Sequence, residues 1–363
     1  MRILFLASRE LNYQRLDVLL RAYQRLGQVT VIGYSKRASL VKRSIQVSLR
    51  AIPYLLSGQY DLVFVGFYGH FLMLPVGLLS RRPVLFDAFL STYDTLCFDR
   101  KKFEPASLAG RSAYRLDRVS CQLARTVLLD TEHHVDYFSR TFKLPKTKFY
   151  SLPVGCNEEL FHPSMVAEAA DFRVLYYCSY MPLHGADIVV KAAEALKSLP
   201  IKFRLIGTGP QYALVRSYAE AHQLTNVEFI SDIPLHQLPN EIASAQLCLG
   251  GHFGVSGKAG RVIPGKIYQI LAMARPLIAT DTPANKEILT SQETAWLCQP
   301  GDPASLADAI NELYHREELR QQLGINGYRL YQTRCSEAQI TRRLRSITEL
   351  TIQRIADHPV QKI

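Results

Sequence analysis

Two basic side chains flank the start of a predicted helix, and together they could hold an anionic group. The helix is predicted over about 264–274, with Arg261 before it and Lys266 in its first turn. Pro264 fits this start, because the first amides of a helix have no intrahelical partner. Those free amides and the helix dipole favour a negative ligand, to which the two cations add full charges. The pattern therefore predicts a phosphate site, beside the carboxyl end of a buried strand at 277–280.

The positive charge of the chain is concentrated in its first half. The net charge is +11 at pH 7, and residues 1–165 hold 23 Lys and Arg against 13 Asp and Glu, a surplus of +10. An anionic membrane surface or an acidic acceptor could explain this surplus, whereas nucleic acid is not expected, because no nucleic-acid module is recognisable. The run 36–50 alternates basic pairs with apolar residues, which suits a helix lying on anionic lipid. A solvated helix face explains the run equally well.

The cysteines and the longest apolar run indicate a reducing compartment and no membrane span. Seven cysteines are widely spaced without a CxxC pair, so neither a disulfide framework nor a metal site is predicted. The start, MRILFLASRE, is a strand and not a signal peptide. The uncharged run 62–80 is broken by Gly, His and Pro, so a strand plus a packed helix is preferred over a span. We therefore expect a cytoplasmic location, with peripheral attachment to the inner face of the cell membrane as an open alternative.

Alternating apolar strands and helical patterns predict an α/β protein with two doubly wound parallel sheets. With 363 residues the chain exceeds one comfortable core, so two domains are expected. They are predicted over 1–165 and 166–340, with a cleft between them, and a long amphipathic helix follows at about 335–355. The predicted strands are ILFLA, VTVIG, LVFVG, VLFDA and VLLDT, then VLYYCS, FRLIG, VEFIS, LCLGG, LIATD and AWLCQ.

The order of these motifs resembles that of family 4 glycosyltransferases, which are retaining nucleotide-sugar enzymes with the GT-B fold. The resemblance implies two Rossmann-like domains facing across a cleft, an acceptor-binding domain (1–165) and a nucleotide-sugar-binding domain (166–340). The helix 341–363 would pack back on the first. The segments that carry the resemblance are MRILFLAS, TVLLDTEHHVDYF, SLPVGCNEELFHP, VLYYCSYMPLHGADIVVKAAEAL, FRLIGTGP, KAGRVIPGKIYQILAMARPLIATDTPANKEIL and GDPASLADAINEL.

The resemblance also implies an activity. The enzyme would transfer a hexose from a nucleoside diphosphate sugar, carrying UDP or GDP, to a polysaccharide or lipid-linked acceptor. It would retain the configuration at the anomeric carbon and need neither a cofactor nor a catalytic metal.

The same resemblance assigns roles to residues of the second domain. The two glutamates of the family, eight positions apart, are replaced here by Arg261 and Gln269, as in a bacterial subgroup with the pattern RVIPNKxYQxLAMGKP. Arg261 and Lys266 would then stabilise the leaving diphosphate. Gln269 would bind the ribose diol, or else be a polar residue on the exposed side of its helix. His184 could donate to phosphate or simply pack as a neutral ring. The predicted donor-binding residues are Tyr180, His184, Gly185, Gly207, Gly209, Ile233, Gly254, Lys258 and Gln269.

One carboxylate of the first domain is a candidate for the acceptor side. Asp87 ends a predicted strand, where it could orient the acceptor hydroxyl or support charge at the anomeric centre. Capping of the following helix is the alternative. His133 and His134 are adjacent and therefore diverge on a helix, which does not suit a shared metal ion.

Two rival functions stay open on the sequence. A sugar-nucleotide epimerase would need acid and base carboxylates around the sugar and no acceptor. A catalytically silent partner, which binds a nucleotide sugar or a true transferase, would explain the missing glutamate pair. A dehydrogenase is disfavoured, because no GxGxxG turn follows the first strand.

Overall fold

The chain forms two compact units, each with its own parallel sheet. The first unit comprises Met1–Gly155 and Glu337–Ile363, and the second comprises Cys156–Ser336. The division falls at 155/156, whereas the predicted boundary at 165/166 lies outside the described residues. The computed structural model describes residues 1–33, 39–164 and 171–357.

The first unit is built on a six-stranded sheet. Its strands are β1 (Arg2–Leu6), β2 (Gln28–Ile32), β3 (Leu62–Val65), β4 (Val84–Asp87), β5 (Thr126–Leu129) and β6 (Phe149–Ser151). They are all parallel, in the order β2-β1-β3-β4-β5-β6, so the chain winds outward from β1 in both directions. The five strands predicted in this half are confirmed. β6 was not predicted, because three residues are too few to show a period.

Helices cover both faces of this sheet. They are α1 (Gln14–Leu26), α2 (Leu40–Ser57), α3 (His70–Leu79), α4 (Leu108–Leu123) and α5 (Glu132–Phe142), with a π-helical turn at Asp94–Asp99. The apolar faces of α2 to α5 share one core with the sheet, and α1 packs in the core on the other face. Ser39, Ser107 and Thr131 start three of these helices, because each side chain accepts a hydrogen bond from the amide three residues later.

The uncharged run 62–80 folds as β3 followed by α3, as predicted. Within the described residues, no helix has the length and apolar character needed to cross a bilayer. In the predicted lipid-facing run, α2 covers residues 40–50, whereas Lys36 and Arg37 lie outside the described residues.

The second unit repeats this architecture. Its strands are β7 (Phe172–Tyr177), β8 (Ile201–Ile206), β9 (Val227–Ile230), β10 (Leu247–Gly251), β11 (Leu277–Thr280) and β12 (Trp296–Cys298). They pair in parallel in the order β12-β11-β10-β7-β8-β9. Neighbours β7 and β10 are far apart in sequence, so the strand order reverses there and the loops after them diverge. The helices are α6 (Ala186–Ala195), α7 (Tyr212–Ala221), α8 (Leu238–Ser244), α9 (Gly265–Ala272), α10 (Pro303–His315) and α11 (Glu317–Arg334).

The last helix, α12 (Glu337–Asp357), belongs to the first unit. Ile340, Leu344 and Ile347 join the core that α1 forms on its face of the sheet. Spaced by four and three residues, they form one apolar stripe, which explains why the sequence pattern located this helix.

Candidate functional site

The start of α9 holds a buried cation. Lys266 lies in the first turn of α9, and it is only 9% exposed. Its Nζ has no hydrogen-bond partner among the described residues. The ammonium lies 4.2 Å from the ring centroid of Tyr176 and 5.6 Å from that of Tyr177, contacts that replace only part of its hydration. Burial lowers the pKa of Lys266 to about 8. A buried ammonium without a carboxylate suits a site that receives an anion.

Two stacked histidines lie close to this cation. The rings of His184 and His252 are 5.4 Å apart and nearly parallel, at 13°. Burial, reinforced by the positive charges of Lys266 and Lys258, lowers the pKa of His184 to about 3 and that of His252 well below its usual value. Both rings are therefore neutral near pH 7. His184 Nδ1 accepts from the Met181 amide at 3.4 Å, so the ring proton is assigned to Nε2, which can donate to a ligand.

Glycines allow the loop after β7 to lie between two other loops. Gly185 has a φ of +67°, and a Cβ there would come within 2.3 Å of the Gly254 nitrogen. On the other side, a Cβ on Gly207 would lie 2.0 Å from the Cys178 carbonyl oxygen, and one on Gly209 would lie 1.9 Å from that of Ser179. Side chains at these positions would push the loops apart. The four predicted glycines therefore shape the loop that carries His184.

Gln269 is buried, with 6% of its surface exposed. The Tyr177 hydroxyl donates to its Oε1 at 2.8 Å. The alternative of a polar residue on the exposed side of α9 is therefore wrong, because the helix presents this face to β7. Binding of a ribose diol by Gln269 stays a prediction.

The remaining cations lie in the turn that precedes α9. Lys258 is buried, and its carbonyl oxygen accepts from the Arg261 amide at 2.9 Å. Arg261 is half-buried. The turn thus places two further basic residues before the helix that carries Lys266, as an anion site requires.

Three of the predicted donor-binding residues make contacts within the second unit. Tyr180 is fully buried, with its ring 5.1 Å from that of Tyr212. Its hydroxyl has no hydrogen-bond partner among the described residues, and its contact with a donor stays a prediction. The Ile233 amide donates to Asp232 Oδ1 at 2.9 Å. The Gly254 amide donates to the Leu183 carbonyl at 3.2 Å. The Gly254 amide is therefore not free for a sugar hydroxyl, whereas contact of the Ile233 backbone with a base stays a prediction.

Asp87 is also corrected, because it is a buried partner of Arg15 in the first unit. Both side chains are fully buried, and Arg15 Nη2 lies 2.9 Å from Asp87 Oδ1. Arg15 Nη1 also donates to the carbonyl oxygens of Leu152 and Pro153. Burial raises the pKa of Asp87, and the guanidinium opposes this rise. Asp87 neither faces an acceptor nor caps the next helix; with Arg15 it ties β4 to α1 and to the segment after β6.

The structure also shows the surroundings of the histidines and cysteines that were considered as metal ligands. His134 Nδ1 lies 2.7 Å from Asp130 Oδ1 within the first unit. In the parts of the chain that the structure describes, no group of three or more His, Cys, Asp or Glu is placed to hold a metal ion. All seven cysteines are free thiols. Metal-independent activity stays a prediction.

Three side chains near Lys266 were not predicted to have a role: those of His252, Tyr176 and Tyr177. Tyr176 and Tyr177 end β7 and His252 follows β10, the two strands at which the sheet order reverses. The sequence could have indicated these residues, because they lie at the carboxyl ends of apolar strands, where open α/β sheets bind ligands.

Comparisons with known proteins agree with the predicted resemblance. The family model described as Glycosyl transferases group 1 matches residues 171–316, most of the second unit. The O-antigen chain mannosyltransferase C of Escherichia coli is 26% identical over 201 residues, which cover 53% of this chain and 52% of that protein. The chain spans about half the length of the curated relatives it matches.

Solved structures extend the likeness to nearly the whole chain. Sucrose-phosphate synthase (tll1590) from Thermosynechococcus elongatus has a TM-score of 0.75 at 16% identity, covering 99% of this chain and 100% of that one. Anabaena Alr3699/HepE, solved with UDP-glucose, has a TM-score of 0.72 at 16% identity, covering 96% and 100%. At such identities the likeness shows the fold. The chain thus has the GT-B fold, and its residues 171–316 resemble the Glycosyl transferases group 1 family.

Proposed function

We propose that this protein is a retaining glycosyltransferase of the family 4 type that uses a nucleoside diphosphate hexose. The observation that carries the proposal is the buried, unpartnered ammonium of Lys266 at the start of α9, inside the matched domain. A leaving diphosphate would supply the anion that this cation lacks. Lys258 and Arg261, in the turn before α9, would add charge on the same side.

The chemistry rests on the charge of the leaving group. In a retaining transfer the bond from the anomeric carbon to the diphosphate breaks, and the acceptor oxygen bonds to that carbon on the same face. The protein must therefore stabilise the diphosphate and align the acceptor. Lys266 would neutralise the developing charge, and neutral His184 would donate to a phosphate oxygen from Nε2. In the empty site burial lowers the pKa of His184 to about 3, so the ring is neutral and would act as a hydrogen-bond donor.

Relatives support UDP as the nucleotide and a glycan as the product. HepE has been solved with UDP-glucose, and the matched E. coli relative is named for building an O-antigen chain. We propose the same donor class here, with a polysaccharide or lipid-linked acceptor, no cofactor and no catalytic metal. Gln269 would bind the ribose, with Tyr177 fixing its amide orientation.

The test is a thermal-shift panel of UDP, GDP, ADP, uridine and UDP-glucose on the wild type, Lys266→Ala and a control, Lys202→Ala. Lys202 is exposed on β8, so its loss removes the same charge away from the site. A diphosphate at about 100 times its Kd stabilises the folded state by ~2.7 kcal/mol. We expect this shift in the wild type and the control, and its loss in Lys266→Ala. No shift with any nucleotide would overturn the proposal. Nucleotide binding without acceptor-dependent turnover would favour the silent-partner alternative.

We also propose that the first unit lies on an anionic membrane surface. On α2, Val41, Ile45 and Leu49 recur every four residues on one face and are exposed, Leu49 by 62%. The adjacent α3 exposes Leu74 and Leu78 on the same side of the sheet. An apolar stripe on a strongly basic unit suits an interfacial helix on anionic lipid.

Vesicle co-sedimentation tests this surface. The variant Ile45→Asp/Leu49→Asp should lose binding to phosphatidylglycerol vesicles, whereas Leu214→Asp should keep it. Leu214 is 67% exposed on α7 of the second unit, which makes it a matched control. High salt should weaken wild-type binding, because the charge contribution is screened. Equal binding by both variants would refute the proposed surface.

A further inference from the structure

A groove on α4 presents three arginines without protein partners. Arg111, Arg115 and Arg118 line a cavity of about 540 Å³ in the first unit. Their spacing of four and three residues places them on one face of the helix. All three are exposed, and none makes an ion pair or a side-chain hydrogen bond with a described residue. Over seven residues they span ~10 Å of helix, which is longer than a single phosphate. The groove therefore offers several separate donors to an extended anion.

The carboxylate nearest to these arginines in the chain does not neutralise the groove. Asp117 is fully buried, and its Oδ2 accepts from Ser91 Oγ at 2.6 Å and from the Tyr93 amide at 2.9 Å. Its Oδ1 lies 3.5 Å from His70 Nε2. These contacts direct Asp117 toward the interior of the unit, so the guanidinium groups keep their charge for a ligand.

Two aromatic rings line the groove, Tyr114 on α4 and Tyr93 from the segment before it. The two rings meet edge to face at 5.4 Å. The Tyr114 hydroxyl donates to the Thr141 carbonyl at 3.1 Å, which ties Tyr114 to α5. A preformed groove loses little conformational entropy when a ligand binds.

Exposed apolar residues lie on α4 and on the segment that precedes it, which would favour an amphiphile over a simple anion. Leu108, at the first turn of α4, is 85% exposed, and Phe98, Phe103 and Val119 are exposed as well. Phe98 packs against Tyr93, with ring centroids 5.3 Å apart. A phosphate bound by the arginines would leave a hydrocarbon chain attached to it beside these residues, where burial of apolar surface would add to affinity.

We propose that the α4 groove binds the phosphate or diphosphate head of a lipid-linked acceptor, whose hydrocarbon chain lies along Leu108 and Phe103. This inference rests on the proposed transferase function and narrows its acceptor to a phosphate-bearing lipid. α4 contacts α3 on the side of the sheet that carries the proposed membrane surface, so a lipid head would reach the groove from the bilayer.

Isothermal titration with farnesyl diphosphate tests the proposal, because this soluble probe combines a diphosphate with a hydrocarbon chain. The variants are Arg111→Ala/Arg115→Ala and a control, Arg342→Ala/Arg345→Ala, which removes two exposed arginines from α12 on the other face of the sheet. Losing charge-assisted hydrogen bonds should raise the Kd at least about tenfold in the groove variant. The control should change it less than about twofold, which is near neutral on the same scale. The groove substitutions should cause the same loss when they are combined with Lys266→Ala, which removes diphosphate binding at the nucleotide site.

Two further ligands separate the contribution of the diphosphate from that of the hydrocarbon chain. Inorganic pyrophosphate should bind more weakly than farnesyl diphosphate, and farnesol should not bind. Pyrophosphate binding as tight as farnesyl diphosphate would overturn the lipid part of the proposal. An unchanged Kd in the groove variant, or a loss confined to Lys266→Ala, would overturn the groove itself. The UDP thermal shift is measured on the same samples, so failure of the groove is distinguishable from failure of the transferase proposal.

Discussion

Binding of a nucleoside diphosphate should weaken as the pH rises above 8. In the empty site, burial holds the pKa of Lys266 at about 8. A diphosphate beside the ammonium would favour its charged form and return the pKa toward its ordinary value. The complex therefore takes up a proton wherever the free site is neutral. From about pH 7 to about pH 9 the charged fraction of the free lysine falls from ~0.9 to ~0.1, so the Kd should rise about tenfold, or ~1.4 kcal/mol.

The assay is UDP titration by calorimetry at several pH values between about 7 and 9, in buffers of different ionisation enthalpy. The buffer dependence counts the protons taken up, which should approach one per UDP at the upper end of this range. Lys266→Arg is the matched control, because a guanidinium stays protonated throughout and should give a Kd that does not vary with pH. Lys266→Ala should bind weakly at every pH.

Two results would refute this reasoning. One is a wild-type Kd that stays constant over the range. The other is a Lys266→Arg variant that shows the same rise as the wild type, since the titrating group would then lie elsewhere. The pH dependence of stability is a second test. The lysine has a pKa of 10.5 in the unfolded chain, so between about pH 8 and 10.5 the unfolded state binds more protons than the folded state. The free energy of unfolding of the empty protein should therefore gain from this group as the pH rises through that window.

Three further predictions concern the scaffold of the site. Arg15→Leu should lower the free energy of unfolding, measured in urea, by about 3–5 kcal/mol, because Asp87 would stay buried without its partner. The double variant Arg15→Leu/Asp87→Leu should recover much of this loss. Equal losses in the two variants would argue against the ion pair. Gly185→Ala should cost about 1–3 kcal/mol, whereas Gly260→Ala, whose Cβ would meet its nearest neighbour at 3.7 Å, should be near neutral; similar midpoints would contradict the close loop contact. Tyr177→Phe should cost about 1 kcal/mol in thermal unfolding and weaken UDP binding, because a buried amide oxygen loses its donor; unchanged values would remove this role.

The strands and the helix α9 could be predicted from the sequence because their signals are local. The run Leu62–Val65 is apolar throughout, and this pattern indicates a strand that is buried on both faces. Pro264 and the cation in the first turn indicate the start of the helix at Gly265–Ala272. The match to the Glycosyl transferases group 1 model at 171–316 agrees with the resemblance that these motifs indicated for the second unit.

Exposure and pairing could not be predicted, because they depend on residues distant in the chain. From the sequence, Asp87 was predicted to be an accessible carboxylate at the end of a strand. Only the fold places Arg15, 72 positions earlier, in contact with it. His184 meets His252 because β7 and β10 are adjacent in the sheet. The sequence by itself determined the elements, their order and a cation at a helix start, since each depends on neighbouring residues. The tertiary structure alone decided that Lys266 is buried without a hydrogen-bond partner among the described residues, and this burial lowers its pKa.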